Sequence, residues 1–233
     1  MQLLKQYATI LYCDDSLLQL IEAAGRTCYK TEDRITDDSY KAFIKGILAK
    51  GHESVIEHSM LTVRFVTDRG VSHEIVRHRL AAYSQESTRY VNYSKRGMQF
   101  IVPFWYKNIC RNIDEINEYL KRDWPLSEFK SIFNLTNEEY RFLLYLQYCE
   151  DTYNTLINVY KQKPEQARAV LPNCVKTELV MTANFREWRH VFRLRLDERA
   201  HPQMRELMLD LYRKLHDNYP EIFEIMFADI FDK

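Results

Sequence analysis

The chain has 233 residues, 46% hydrophobic and 28% charged, which suits a folded protein with a sizeable core. Its 33 basic and 33 acidic side chains cancel, which argues against a general nucleic-acid binder, since that role needs a domain-wide basic excess. The first apolar run is too short for a secretory signal and no later run is apolar enough to span a membrane; the five scattered cysteines form no CxxC pair. Reduced thiols in a cytoplasmic protein, with no zinc site, are expected.

Residues 5–12 alternate loosely and predict a strand, followed by a helix over about 16–29. Tyr40, Phe43, Ile44, Ile47 and Leu48 recur at helical spacing, and Gly51 stands where a glycine ends a helix. Residues 60–67 predict a strand and 70–80 a short helix. The stretch 95–135 is weakly periodic, interrupted by Pro103, Trp105 and Pro125, and reads as a variable insertion. Thr136-Asn137-Glu138-Glu139 is a capping box, opening a helix whose predicted apolar stripe is Phe142, Tyr145, Cys149, Tyr153, Leu156 and Tyr160, bounded by Pro164. A strand over 174–183 and helices over 184–196 and 203–216 complete the chain. With no repeats and no Ser/Gly linker, one mixed α/β domain (α+β) is expected over residues 1–233, a sheet packed by long helices.

Glycine is the informative shortage. Only five occur, with neither G-x-G-x-x-G nor G-x-x-x-x-G-K-[ST]. Any phosphate must therefore be held by arginine forks and helix N-termini. Three segments offer the chemistry. Arg77-His78-Arg79 falls at the end of the helix predicted over 70–80 and precedes a donor-rich run, Ser84, Gln85, Ser87, Thr88 and Arg89. It reads either as a solvated basic helix end complementing the dipole or as a phosphate cradle. Arg186, Arg189 and Arg193 share one helical face at i, i+3 and i+7, to be neutralised by a nearby acidic surface or by a bound anion. In Gly51-His52-Glu53-Ser54-Val55-Ile56-Glu57-His58, Ser54 and Glu57 predict a capping box. The two histidines are six apart rather than four, which disfavours a metal reading. His216-Asp217 is a lone HD pair and weak as a phosphohydrolase signal.

Arg77-His78-Arg79 followed by seven residues and Ser87 resembles the RHR-x₇-S signature of the flavin-dependent thymidylate synthases. Residues 51–58 resemble that family's G-H-x-[ST]-x-x-E-H, Ala167-Arg168-Ala169-Val170-Leu171-Pro172 its A-R-x-V-L-P, and Thr182-Ala183-Asn184-Phe185-Arg186 its T-x-N-x-R, with His190 and Arg195 following at the family's intervals.

The resemblance implies a homotetramer with sites shared between subunits. It implies reductive methylation of dUMP to dTMP, with 5,10-methylenetetrahydrofolate giving the carbon, reduced FAD the hydride and NADPH the reducing equivalents. By carry-over, Ser54, Arg77, His78, Arg79, Gln85, Asn184, Arg186 and His190 would hold FAD. Glu74, Arg77, Gln85, Glu86, Ser87, Thr88, Arg89, Arg168 and Arg195 would bind the nucleotide, and Arg195 would stabilise charge developing on the pyrimidine. Cys174 is expected to be a small strand residue and not a nucleophile. The chain departs from the family at Glu74, where many members carry glutamine, and at His201-Pro202.

Overall fold

In a computed structural model, which describes residues 1–13 and 16–223, short strands and helices follow each other closely. The first elements are β1 (Gln2–Leu4), β2 (Tyr7–Cys13), α1 (Leu17–Tyr29) and α2 (Ser39–Ala49). A 3₁₀ turn (Glu53–Glu57), β3 (Leu61–Asp68), α3 (Arg69–Ile75) and β4 (Ala82–Gln85) come next. Then come α4 (Tyr93–Arg96), β5 (Gln99–Ile101), α5 (Lys107–Arg111), α6 (Ile113–Lys121), α7 (Leu126–Ile132), α8 (Asn137–Asn158) and α9 (Pro164–Ala167). The last elements are β6 (Lys176–Ala183), α10 (Phe185–Arg195), α11 (Pro202–Asn218) and α12 (Pro220–Phe223).

The larger sheet has strand order β2-β3-β6-β4. Along β6, Thr177, Leu179, Met181 and Ala183 are buried and their neighbours less so, the alternation that a pleated strand imposes. The chain divides into two compact units. Unit 1 comprises Met1–Tyr7, Val66–Ile75 and Gln85–Leu179; unit 2 comprises Ala8–Phe65, Val76–Ser84 and the chain from Val180 onward.

In unit 1, β1 and β5 pair in parallel, with Leu3 opposite Phe100. The stretch 95–135 supplies Phe100, Ile109, Ile116, Phe129 and Phe133 to this unit's core. Its helices are short and separated by breaks, so no single period runs through the stretch and the sequence looks irregular there. The capping box of α8 forms as expected: the Glu139 N–H donates to Thr136 Oγ1 at 3.2 Å, and the Thr136 N–H to Glu139 Oε2 at 2.9 Å. The apolar stripe of α8 is rotated from the predicted one. Leu143, Leu146, Cys149 and Tyr153 are buried, whereas Tyr145 and Tyr160 are exposed, a position that the tyrosine hydroxyl tolerates.

In unit 2, α2 ends in a Schellman motif: the His52 N–H donates to Ile47 O and the Gly51 N–H to Leu48 O, with Gly51 at φ +75° as predicted. Gly25 lets α1 approach α2, because a Cβ there would lie 2.5 Å from the Phe43 ring. Trp188 and Phe192 of α10 pack with Tyr212 of α11 and Phe223 of α12, all four essentially inaccessible. This aromatic core fixes α10, the helix that carries most of the candidate site.

Candidate active site

The site in unit 2 starts from a helix cap. β6 ends at Ala183, and Asn184 opens α10 by accepting the Glu187 N–H on Oδ1 at 3.0 Å, while the Phe185 N–H donates to Ser59 Oγ at 2.7 Å. The start of α10 and the segment between α3 and β4 border a cleft of about 940 Å³. Its walls carry Arg77, His78, Arg79, Asn184, Arg186 and His190, together with Arg195. Seven residues that the family resemblance singled out are thus gathered in one place.

The helix predicted over 70–80 stops at Ile75, so Arg77, His78 and Arg79 lie on a non-helical segment. Exposure alternates along it: Arg77 and Arg79 are exposed and His78 is 4% exposed. The basic-helix-end reading therefore falls. Tertiary contacts override the local tendency: Tyr83 donates its hydroxyl to His78 O at 2.7 Å and Arg195 donates Nε–H to His78 Nε2 at 2.9 Å. Burial, then the Arg195 and His190 charges, push the His78 imidazole down to about 4. It is neutral at physiological pH.

The acidic surface sought for the arginines of α10 is present. Glu53 accepts from Arg193 at 2.8 Å and pairs with Arg189 at 3.1 Å and with Arg186 at 4.0 Å. Glu57 takes a further contact from Arg186. Burial alone would raise Glu53, but the hydrogen bond from Arg193 and the neighbouring guanidinium charges hold it below its ordinary range. The 3₁₀ turn starts at Glu53 with His52 before it, so Ser54 lies inside the turn and the Ser54/Glu57 capping box does not form; Ser54 is exposed and does not line the cleft. His52 has Nδ1 within 3.1 Å of the Tyr29 hydroxyl. Arg77 and Arg79 have no acidic partner among the described residues and remain able to take an anion.

The other candidate residues lie in unit 1. Gln85 ends β4, its amide donating to Ser72 Oγ at 2.9 Å and Thr177 Oγ1 at 3.3 Å; like Ser84 it lies on a strand rather than in a loop. The Glu86 carboxylate accepts from Tyr93 at 2.9 Å and Lys176 at 3.0 Å, and its backbone carbonyl accepts from Arg69 at 3.3 Å. Ser87 Oγ accepts the Arg89 N–H at 3.2 Å, and Arg168 donates to the buried Thr88 at 3.4 Å. Arg89 is exposed, and Glu74 is half-buried on α3. Lys176, Arg69 and Glu187 are partners that sequence reasoning missed, since each belongs to no local motif.

Cys174 is mostly buried, and burial, with the Asp68 charge adding to it, pushes its thiol up to about 12. At pH 8 its thiolate fraction is on the order of one in ten thousand. Iodoacetamide at that pH is expected to alkylate the exposed Cys28 and spare Cys174, as mapped by peptide mass spectrometry; rapid labelling of Cys174 would contradict this environment.

A mixed α/β protein with an arginine-walled cleft and no glycine-rich loop is the class that fold and site define. A family model described as thymidylate synthase complementing protein matches residues 10–221. The chain belongs to that family, the flavin-dependent thymidylate synthases. It is similar to the flavin-dependent thymidylate synthase of Geobacter sulfurreducens, 31% identical over 210 residues, covering 87% of this chain and 79% of the relative. Its counterpart in Mycolicibacterium vanbaalenii is 32% identical over 208 residues, covering 88% and 77%. In fold the chain is similar to thymidylate synthase X from Helicobacter pylori, solved with FAD and dUMP, at a TM-score of 0.71 over 96% of this chain and 99% of that one, with 19% identity.

Proposed function

We propose that this chain converts dUMP to dTMP with FAD bound in the unit 2 cleft, 5,10-methylenetetrahydrofolate as carbon donor and NADPH as reductant. The observation that carries the reading is the convergence of five guanidinium groups, those of Arg77, Arg79, Arg186, Arg193 and Arg195, on one cleft of about 940 Å³ in a chain of this family. The cleft fits a flavin dinucleotide in chemistry: it is large, and Arg77 and Arg79 are without acidic partners among the described residues. When bound, the flavin supplies the hydride.

Arg77, Arg79, Asn184, Arg186 and His190 would hold that cofactor, with His78 packed beneath them. Ser54, exposed on the 3₁₀ turn, and Gln85 of unit 1 are proposed as further flavin contacts. Glu74, Gln85, Glu86, Ser87, Thr88, Arg89 and Arg168 of unit 1, and Arg77 and Arg195 of unit 2, would each contact dUMP in sites that the tetramer shares between subunits, with no single chain required to supply them all. The anchoring of Glu86 by Tyr93 and Lys176 would keep the 86–89 segment in place for it. Arg195 is the catalytic residue of this reading: its guanidinium, seated on His78, would stabilise negative charge on the pyrimidine as it becomes a carbon nucleophile. Shared sites in a homotetramer, in the cytoplasm, complete the proposal; the five free cysteines fit a reducing compartment.

The purified protein is expected to be yellow, to bleach with NADPH, and to form dTMP only when dUMP and methylenetetrahydrofolate are both added; light scattering should report four chains. A colourless protein that cannot be reconstituted with FAD would sink the reading.

A further inference from the structure

We infer that Glu187 is a positioning residue: its carboxylate holds the His78 ring in the form protonated on Nδ1, leaving Nε2 to accept from Arg195 and seat that guanidinium in the cleft. The inference rests on the proposed role of Arg195.

The tautomer follows from donor chemistry. A guanidinium can only donate, so the 2.9 Å contact from Arg195 Nε requires a lone pair on His78 Nε2. A neutral imidazole then carries its one proton on Nδ1. That atom faces Glu187 Oε1 at 3.8 Å, with the two side chains 3% and 6% exposed. The opposite tautomer would set Nε2–H against the Arg195 donor and Nδ1's lone pair against a carboxylate. Both contacts would be repulsive.

The ring has little room to escape the choice. Tyr83 pins the His78 carbonyl at 2.7 Å, and the His190 ring stands edge-on at 6.1 Å. Glu187 is in turn placed by the cap of α10, its N–H bonded to Asn184. Its carboxyl accepts no hydrogen bond among the described residues but borders the cleft, and burial raises it above its ordinary range while the His190 charge opposes that. The geometry gives the carboxyl a use in orienting His78.

The test reads the tautomer directly, by ring-nitrogen NMR of the full chain labelled with ¹⁵N-histidine, with the His78 signals assigned by their loss in His78→Asn. The wild type is expected to be protonated on Nδ1. Glu187→Ala is expected to weaken that bias and, through a less fixed Arg195, to drop kcat/KM for dUMP about tenfold, with flavin content and NADPH-driven bleaching unchanged. Glu187→Gln keeps the side chain's size and an oxygen to face Nδ1; it is expected to keep the tautomer and recover most of the dUMP turnover. An unchanged tautomer in Glu187→Ala, an altered tautomer with unchanged kcat/KM, or a Gln variant no better than Ala would each overturn the inference. A wild type without flavin would defeat only the functional reading, because the tautomer measurement needs neither cofactor nor turnover.

Discussion

Replacing Arg195 by lysine is expected to cut thymidylate formation by about a hundredfold while leaving bound FAD and its reduction by NADPH in place, the scale of losing one preorganised donor. Arg195 uses Nε on His78 and also lines the cleft. Lysine keeps the charge but has a single nitrogen on a flexible stem, so it cannot sit on the imidazole and present a planar fork at once. Thymidylate formation and flavin reduction are measured separately, because the proposed flavin contacts lie mainly at Arg77, Arg79, Asn184 and Arg186. Cys174→Ala serves as the control, expected to turn over at close to the wild-type rate since its thiol stays protonated. An inactive Cys174→Ala beside an active Arg195→Lys would refute the mechanism.

The largest stability effect is expected at Trp188. The side chain is inaccessible, lies 6.3 Å from Phe65 and 5.9 Å from Phe192 between ring centroids, and donates its indole N–H to Leu61 O at 3.3 Å. Trp188→Ala removes that packing and leaves a cavity, at a cost of about 3–5 kcal/mol. Such a loss is comparable to much of a typical protein's net stability. Because α10 carries Asn184 at its cap and Arg186, His190 and Arg195 along its length, flavin should be lost at lower denaturant than protein fluorescence reports global unfolding. Urea titration followed by both signals checks this; an unchanged midpoint would show that the indole carries none of the load.

What could be read from the sequence was what short-range chemistry decides. Thr136 caps its helix, and Gly51 takes the left-handed position after α2, each through bonds to neighbours within a few residues. The family motifs likewise located most of the cleft. Long-range contacts decided the rest. Arg77 to Arg79 have helix-compatible composition, yet α3 ends first because His78 is drawn under Arg195 and Tyr83, both distant or across a turn. The stripe on α8 was misplaced because tyrosine reads as apolar in a periodic pattern but is content at a surface, as Tyr145 is. Glu53 could be named from sequence only as a doubtful metal ligand; its partnership with three arginines of α10 depends on packing between the 3₁₀ turn and that helix. Lys176 and Glu187 carried no signal at all, since a lysine on a strand and a glutamate in a first helical turn are ordinary there.

That partnership bears on how the cleft meets a ligand. A long arginine side chain in solvent holds roughly 2 kcal/mol of rotational freedom, which an anion would have to remove on arrival. Glu53 and Glu57 remove part of it when the chain folds, by tethering Arg186 and Arg193 at half-exposed positions. In the proposed flavin site, the loop that phosphate sites elsewhere make rigid with backbone amides would be replaced by side chains stiffened by their own counter-ions. Affinity for a dianion then depends on two carboxylates that would, by charge alone, be expected to repel it.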